Sequence, residues 1–460
     1  MQFTFDGEFY KIARITSPTH NFLGISFGDS EDGRVYIEAL GESRKKESIF
    51  AKDVKEQVLL GINEINSELK SDYKVKKIQF VSSDTPSNSV YMELAKEIVK
   101  GKIKRDFLHA LKRGTGEAFL LMQKYLLLDF SEEIKQGVLE NHAYDGQAES
   151  SRAEYLYELI ELSNKKEEIL KSILYALEHD REDTWDLLQF FELSKMFAKN
   201  GSVEAKKAIY QAFLSSPIEG SDWVGYSSIL ELDGFDGLLF ICRAFGKHLH
   251  ANPNDWQDAF IVEEFQDEHP DLEVWKELEV ASKSDRWIKI YLDEIEETKR
   301  EHEVKKQTKR VRRSFKDKTK ITTYSRASIL EEIKSSKEPE KFVEMLTEHY
   351  AEGDSKLLKE LVVSCFDEDE IEKLAIAIID LYSVLKSREM REPLEVLYNK
   401  MNCGIHRYAL VKLLMEQNLL SDKIREEIVY DSFMETRRLL RFDTENVEKK
   451  RKSDEKNKRK

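Results

Sequence analysis

The sequence predicts a mainly α-helical protein that begins with a small α+β module. Three observations carry this. The 460 residues include only 7 prolines and 19 glycines, while 35% are charged, a turn-poor and charge-rich balance that suits helices. Apolar residues recur at i, i+3 and i+4 through most of the chain after the first hundred residues. Before that point, short β-like runs alternate with turn chemistry. Aromatic residues at 10% supply large burial areas and argue against disorder of the whole chain.

The α+β module is expected over 1–102. "FTFDGEFYKIARI", "NFLGISFG" and "RVYIEAL" read as three strands separated by Ser-Pro, Asp-Ser and Asp-Gly turns. "DVKEQVLLGINEINSEL" places Val54, Val58, Leu59, Ile62 and Ile65 on one helical face, with Asp53 as its expected cap. "VKKIQFVSS" reads as a buried strand, "SDTPSNS" as a loop, and "SVYMELAKEIVKG" as a helix ending at Gly101. The predicted order is β-β-β-α-β-α.

From 103 to 298 the pattern is nearly all helix. "FLLMQKYLL", "EYLYELIEL", "ILKSILYAL", "WDLLQFFELSKMF", "VEAKKAIYQAFL" and "GLLFICRAFG" are joined by short polar connectors. Helices of this length with such turns predict a HEAT- or armadillo-like solenoid. A long helix is expected from Asp285 into a basic linker or helix at 299–326. Apolar periodicity resumes over 327–442, a smaller helical C-terminal domain, and 443–460 reads as a disordered basic tail.

Two resemblances follow from these residues. "VKEQVLLGINEI" with "YKVKKIQFVSSDTPSNSVYMELAKEI" resembles domain IV of elongation factor G: its helix, strand entry, loop and next helix start. That resemblance implies a loop, here Ser82 to Ser89, of the kind that reaches the ribosomal decoding region. This loop lacks the histidine common in that family, and no GxxxxGK[ST] phosphate loop accompanies it. "RGTGEAFLLM", "ENHAYDGQAESSRAEYL" and "LELDGFDGLLF" look like bacterial HEAT-repeat-like helical proteins, a resemblance that implies no activity.

Charge is uneven. The net charge is −15, yet residues 305–320 carry nine bases against one acid, and residues 251–297 carry fifteen acids against four bases. The acidic stretch suits a basic partner. The basic segment, with Lys305, Lys306, Lys309, Arg310, Arg312 and Arg313, suits phosphate contacts, or is a solvated linker. No basic leader precedes an apolar run, and no stretch approaches the roughly 18 apolar residues of a membrane span, so a cytoplasmic protein without membrane contact is expected. Three separated cysteines with no CxxC predict neither a disulfide framework nor a zinc ribbon.

The densest polar stretch is "NHAYDGQAESSRAEY", residues 141–155. Ser151 and Glu154 have the spacing of a capping box, and Asn141, Asp145 and Gly146 suit a turn. His142, Tyr144, Asp145, Gln147, Glu149 and Arg152 then have two readings. They line a groove that binds an anionic or peptide ligand or does acid/base work, or they form a polar network in which Arg152 pairs with Asp145 or Glu149. His142 and Asp145 supply two ligands with no third in view, so no metal or cofactor is expected. Arg113 in "RGTGEA" could help backbone N–H groups meet an anion, or simply close a helix-to-helix turn. Asp233 and Asp236 in "LDGFDGLLF" precede a helix that one of them is expected to cap. His406 and Arg407, with Arg437, Arg438 and Arg441, suggest a basic face.

GxSxG, HExxH and GxGxxG are absent, and no cysteine is read as paired with a histidine, so no catalytic signature is expected and a non-enzyme is favoured. The resulting expectation is a scaffold that binds a protein partner through a solenoid groove, with contact to a ribosome or RNA. The alternative is a hydrolase-like enzyme with a polar site around His142, Asp145, Glu149 and Arg152.

Overall fold

The computed structural model describes residues 2–16, 19–30, 32–41, 49–85, 89–144, 152–179, 183–215, 223–306 and 324–440, with backbone only at Thr16, Thr19 and 298–306. The chain divides into two compact units, 1–133 and 134–460.

The first unit is built on a five-stranded sheet ordered β1-β2-β3-β5-β4: β1 (Gln2–Phe5), β2 (Tyr10–Thr16), β3 (Thr19–Phe27), β4 (Tyr36–Leu40) and β5 (Val75–Val81). Neighbours are antiparallel except β4 and β5, which run parallel because helix α1 (Ala51–Leu69) makes the crossover between them. Strand pairing sets Ile12 opposite Leu23 and Leu23 opposite Phe80, so apolar side chains of three strands fall on one face. Against them α1 turns Val54, Val58, Ile62 and Ile65, all buried. Each such side chain contributes roughly 1.5–3 kcal/mol of transfer free energy.

Three expectations need correction here. The first β-like run is two strands: Asp6 Oδ1 accepts the N–H groups of Glu8 and Phe9 and folds the Asp-Gly pair into a hairpin, giving β-β-β-β-α-β-α. Asp53 lies inside the first turn of α1, which starts after Phe50, so its carboxylate faces the helix dipole and caps nothing. Helix α2 (Val90–Arg113) does not stop at Gly101 but runs through it. Glycine is needed there for closeness, since a Cβ would lie 2.6 Å from the Phe3 ring. Residue 102 is therefore mid-helix. Helices α3 (Glu117–Lys124) and α4 (Ser131–Val138) follow, and the division between units falls within α4.

The second unit is helical. Its helices are α5 (Ala153–Glu161), α6 (Lys166–His179), α7 (Thr184–Lys199), α8 (Val203–Leu214), α9 (Tyr226–Ala251), α10 (Phe260–Glu268), α11 (Val274–Ser282) and α12 (Arg286–Lys306). After residue 323 come α13 (Arg326–Ser335), α14 (Glu340–Met345), α15 (Asp354–Ser364), α16 (Glu368–Leu385), α17 (Arg391–Lys400), α18 (Gly404–Glu416) and α19 (Asp422–Glu427). The later helices enclose one apolar core that includes Leu374, Ile378, Leu381, Leu397, Leu410 and Leu414. No described helix is long and apolar enough to cross a membrane.

Helices α9 and α12 pack unusually closely. A Cβ at Gly246 would sit 1.8 Å from the Trp287 carbonyl oxygen, so only glycine permits the contact. Gly246→Ala is expected to destabilise this unit by roughly 1–3 kcal/mol or more, read as a lower urea midpoint. At the start of α12, Asp285 accepts the N–H groups of Trp287 and Ile288, and Arg243 reaches it from α9 at 2.6 Å. Burial pushes this carboxyl up, but the Arg243 guanidinium and the two N–H groups more than offset that and hold it below its ordinary value of 3.8. A depressed folded-state pKa stabilises above the unfolded value, and that contribution disappears as pH falls through the folded one. Asp285→Asn is expected to lower Tm at neutral pH and to lower it far less at about pH 2.

Candidate functional site

The site is assembled around the turn between α17 and α18. Cys403 is extended (φ −69°, ψ 122°) and is the N-cap residue of α18. His406 lies three residues on, so both side chains start from the same end of that helix. Glu372 comes from α16, which Asp367 caps by accepting the Glu370 N–H at 3.0 Å. The ligating atoms of Glu372, Cys403 and His406 all lie within 4.8 Å of one another. Nδ1 of His406 is paired with Oε1 of Glu372. Glu372 and Cys403 are buried; the imidazole is the member that meets solvent, with a quarter of its side chain (25%) exposed. The Cys403 thiol first, and the Glu372 carboxylate second, favour the imidazolium over the cost of burial and push His406 up to about 10.

The turn is held from beneath by Arg407, whose side chain is wholly buried. Its Nε donates to Asp431 Oδ2 at 2.9 Å and its Nη2 to Asp431 Oδ1 at 3.0 Å. Its Nη1 donates to the carbonyl oxygen of Asn402 at 2.7 Å, the residue next to Cys403. Arg152, the N-cap residue of α5, donates from Nη2 to the same Asn402 oxygen at 3.2 Å. Arg437 ties the two helical stretches again, donating to the Asp431 carbonyl oxygen and to both oxygens of Glu158 on α5.

A cleft of about 790 Å³ opens beside this assembly. It is lined by Tyr144 and Trp185 and by the carboxylates of Glu140, Asp183, Asp186 and Asp369. Asp369 is one turn before Glu372 on α16, and Tyr144 donates its hydroxyl proton to Asp369 at 3.2 Å. Burial, then the Glu372 carboxylate and the hydrogen bond to Asp369, push the Tyr144 phenol up to about 12. The strand of chain that carries Tyr144 is pinned to α7: Asn141 N–H donates to Asp186 at 2.5 Å, and Gln189 donates to the carbonyl oxygens of Val138 and Glu140.

The polar stretch at 141–155 is thus partly explained. Tyr144 and Arg152 are brought to the α16 and α18 starts, and His142 lies 3.5 Å from Glu140. Asp145, Gln147, Glu149 and Ser151 lie outside the described residues, as do the expected pairing of Arg152 with Asp145 or Glu149 and the capping box. Other candidates go elsewhere. Arg113 is buried in the first unit as the last residue of α2, and Gly114 (φ 69°) closes the helix there as a turn. "LDGFDG" falls at a break on Gly234 (φ 55°, ψ −127°), where the first half of α9 ends and a second helical segment begins as expected. Asp233 pairs with Lys206 at 2.6 Å and with the Tyr210 hydroxyl, both on α8. Lys305 and Lys306 end α12, and Lys309, Arg310, Arg312 and Arg313 lie outside the described residues.

The expectation of a chain without a catalytic signature is overturned by the Glu372–Cys403–His406 cluster. The signal was present as Cys403-Gly-Ile-His406, a C-x-x-H spacing that a search for CxxC and named enzyme motifs passes over. Arg407 likewise was expected on a basic surface face and is instead in the core. No protein-family model matches the chain and no curated protein matches it in sequence, so the chemistry rests on this geometry.

Asp431→Asn would leave the buried Arg407 guanidinium without its counter-ion and is expected to cost about 3–5 kcal/mol. Replacing Arg407 and Asp431 together by leucine is expected to cost less than the sum of the two single changes, because no lone charge remains buried. Urea denaturation of Asp431→Asn and of the four proteins of the leucine cycle measures both.

Proposed function

We propose that the chain is a hydrolase-like enzyme whose reactive groups are Cys403, His406 and Glu372. The observation that carries this reading is the approach of a thiol, an imidazole and a carboxylate to within 4.8 Å of one another, one helical turn from Asp369 on the wall of an open cleft. Cys403 is the nucleophile, with its side chain at the N-terminus of α18. In the resting pair His406 already holds the thiol proton as an imidazolium, and Glu372 keeps that ring in place. The sulfur forms a bond to a carbonyl carbon as the bond to the leaving group breaks, and the imidazolium returns its proton to that leaving group. Water then gives a proton to the imidazole and its oxygen to the acyl carbon. The thioester breaks, the acid departs, and the thiol is restored. The substrate enters by the cleft at Tyr144 and Trp185. The helix pairs of the second unit, read as HEAT-like repeats, are in this proposal the frame that carries the centre.

The other two cysteines make the test internal. Burial pushes the thiols of Cys242 and Cys365 up. Cys365 is 8% exposed, against 3% for Cys403, so exposure alone favours labelling of Cys365. Iodoacetamide labelling followed by peptide mass spectrometry is expected to modify Cys403 first, with the rate falling roughly tenfold or more in His406→Ala, the usual size of a base contribution being larger still. Preference for Cys365, or a rate indifferent to His406, would remove the proposal.

A further inference from the structure

The same three side chains carry a second inference. We infer that Glu372, Cys403 and His406 bind one divalent cation of the zinc class, and that its presence silences the thiol. This rests on the reading of the cluster as a functional centre, as a regulation of it, although the binding can be measured without turnover.

The donor set decides the ion. One sulfur, one imidazole nitrogen and one carboxylate oxygen are a mixture that zinc accepts and that magnesium and calcium, which require oxygen shells, do not. Size agrees as well. Bonds of about 2.0–2.3 Å in a tetrahedron put ligand atoms roughly 3.3–3.8 Å apart. A cage whose atoms already lie within 4.8 Å of one another needs side-chain adjustments of about an ångström at its widest pair, and the closely paired Nδ1 of His406 and Oε1 of Glu372 must open to admit the ion. Nδ1 of His406 and Oε1 of Glu372 already face each other as an ion pair, so a cation that displaces the proton between them finds both ligand atoms side by side. A thiolate and a carboxylate together balance the two positive charges of the ion, which removes the cost of burying either alone.

The support is rigid. Cys403 and His406 rise from the first turn of α18, and Glu372 sits in α16; both helices belong to one apolar core. Arg407 and Arg152 hold the Asn402 carbonyl one residue before the sulfur ligand. Three protein ligands leave the fourth position of a tetrahedral ion open, as in sites that exchange their metal or bind a small ligand. Once the sulfur lone pair is donated to the ion, it is no longer free to attack carbon, so the metal and the electrophile compete for one atom.

The experiment uses the full chain, stripped of metal with a chelator and titrated with Co²⁺ as a coloured probe, then with Zn²⁺ in competition. One Co²⁺ per chain is expected, with a thiolate-to-cobalt charge-transfer band that Cys403→Ser abolishes and Zn²⁺ displaces. Glu372→Gln, which keeps the packing, is expected to retain the sulfur band and weaken binding roughly tenfold or more. Zn²⁺ is expected to slow alkylation of Cys403 by at least roughly tenfold while leaving Cys365 unchanged. Absence of the band, or Co²⁺ binding that survives both Cys403→Ser and His406→Ala, would mean adventitious chelation elsewhere and overturn the inference. If the band is absent and Cys403 is still alkylated first, the metal inference falls and the enzyme proposal stands. If the band appears and the stripped protein shows no preference for Cys403, the reverse holds.

Discussion

The buried pair of Arg407 and Asp431 is the constraint on which the candidate site depends. Neither side chain has any exposed surface, so both charges have been taken wholly out of water. That transfer costs several kcal/mol per ion, and a bare contact between the two would not offset it. The fold supplies the remainder by using every face of the guanidinium. Two donors go to the carboxylate in parallel, and others reach the Ser432 hydroxyl and the carbonyl oxygens of Met401 and Asn402. Those last two groups lie just beyond the end of α17, where a helix leaves carbonyls without intrahelical partners. One side chain therefore neutralises a buried acid and completes a helix terminus.

The consequence for chemistry is positional. A guanidinium is planar and rigid, so fixing it to Asp431 also fixes the carbonyl of Asn402, and with it the direction in which Cys403 leaves the turn. Arg152 adds a second hold on the same oxygen from a helix far away in sequence. The imidazole and the thiol then start from one helical turn, and only Glu372 has to be delivered from outside it. Precision of this kind is what a nucleophile and its base require, and it is equally what a metal cage requires, because both depend on lone pairs meeting at one point. The cleft beside them is acidic, which suits it to neutral or cationic groups more than to phosphates.

Much of the architecture was legible from local pattern. The helical faces of α1, α6 and α7 and the strand of β5 follow directly from apolar spacing, since a 3.6-residue or two-residue period leaves few alternatives. The misreadings share a cause. Gly101 looked like a helix end because glycine often is one, but here it serves contact with Phe3, a residue nearly a hundred positions away. The "LDGFDG" stretch does open a helical segment after Gly234, but Asp233, expected as a candidate cap, serves the neighbouring helix α8. Arginines at the start of a helix looked like surface charge, because charge is ordinarily solvated and a buried counter-ion leaves no local mark.

By itself the sequence determined most of the helices and strands, the place of the mixed module before the helical region, and the presence of reactive residue types at 142–152 and 403–407. Tertiary structure alone decided which of them meet. Glu372 lies two helices before Cys403, and nothing in the spacing between them encodes a contact; only the packing of α16 against α18 brings the carboxylate to the imidazole. Tyr144 and Arg152 were singled out as neighbours of Asp145 and Glu149, yet their described partners are Asp369 and Asn402, more than two hundred residues on. Local periodicity records which face of an element avoids water. It does not record which other element will cover that face, and a site made of side chains from several elements exists only once that choice is made.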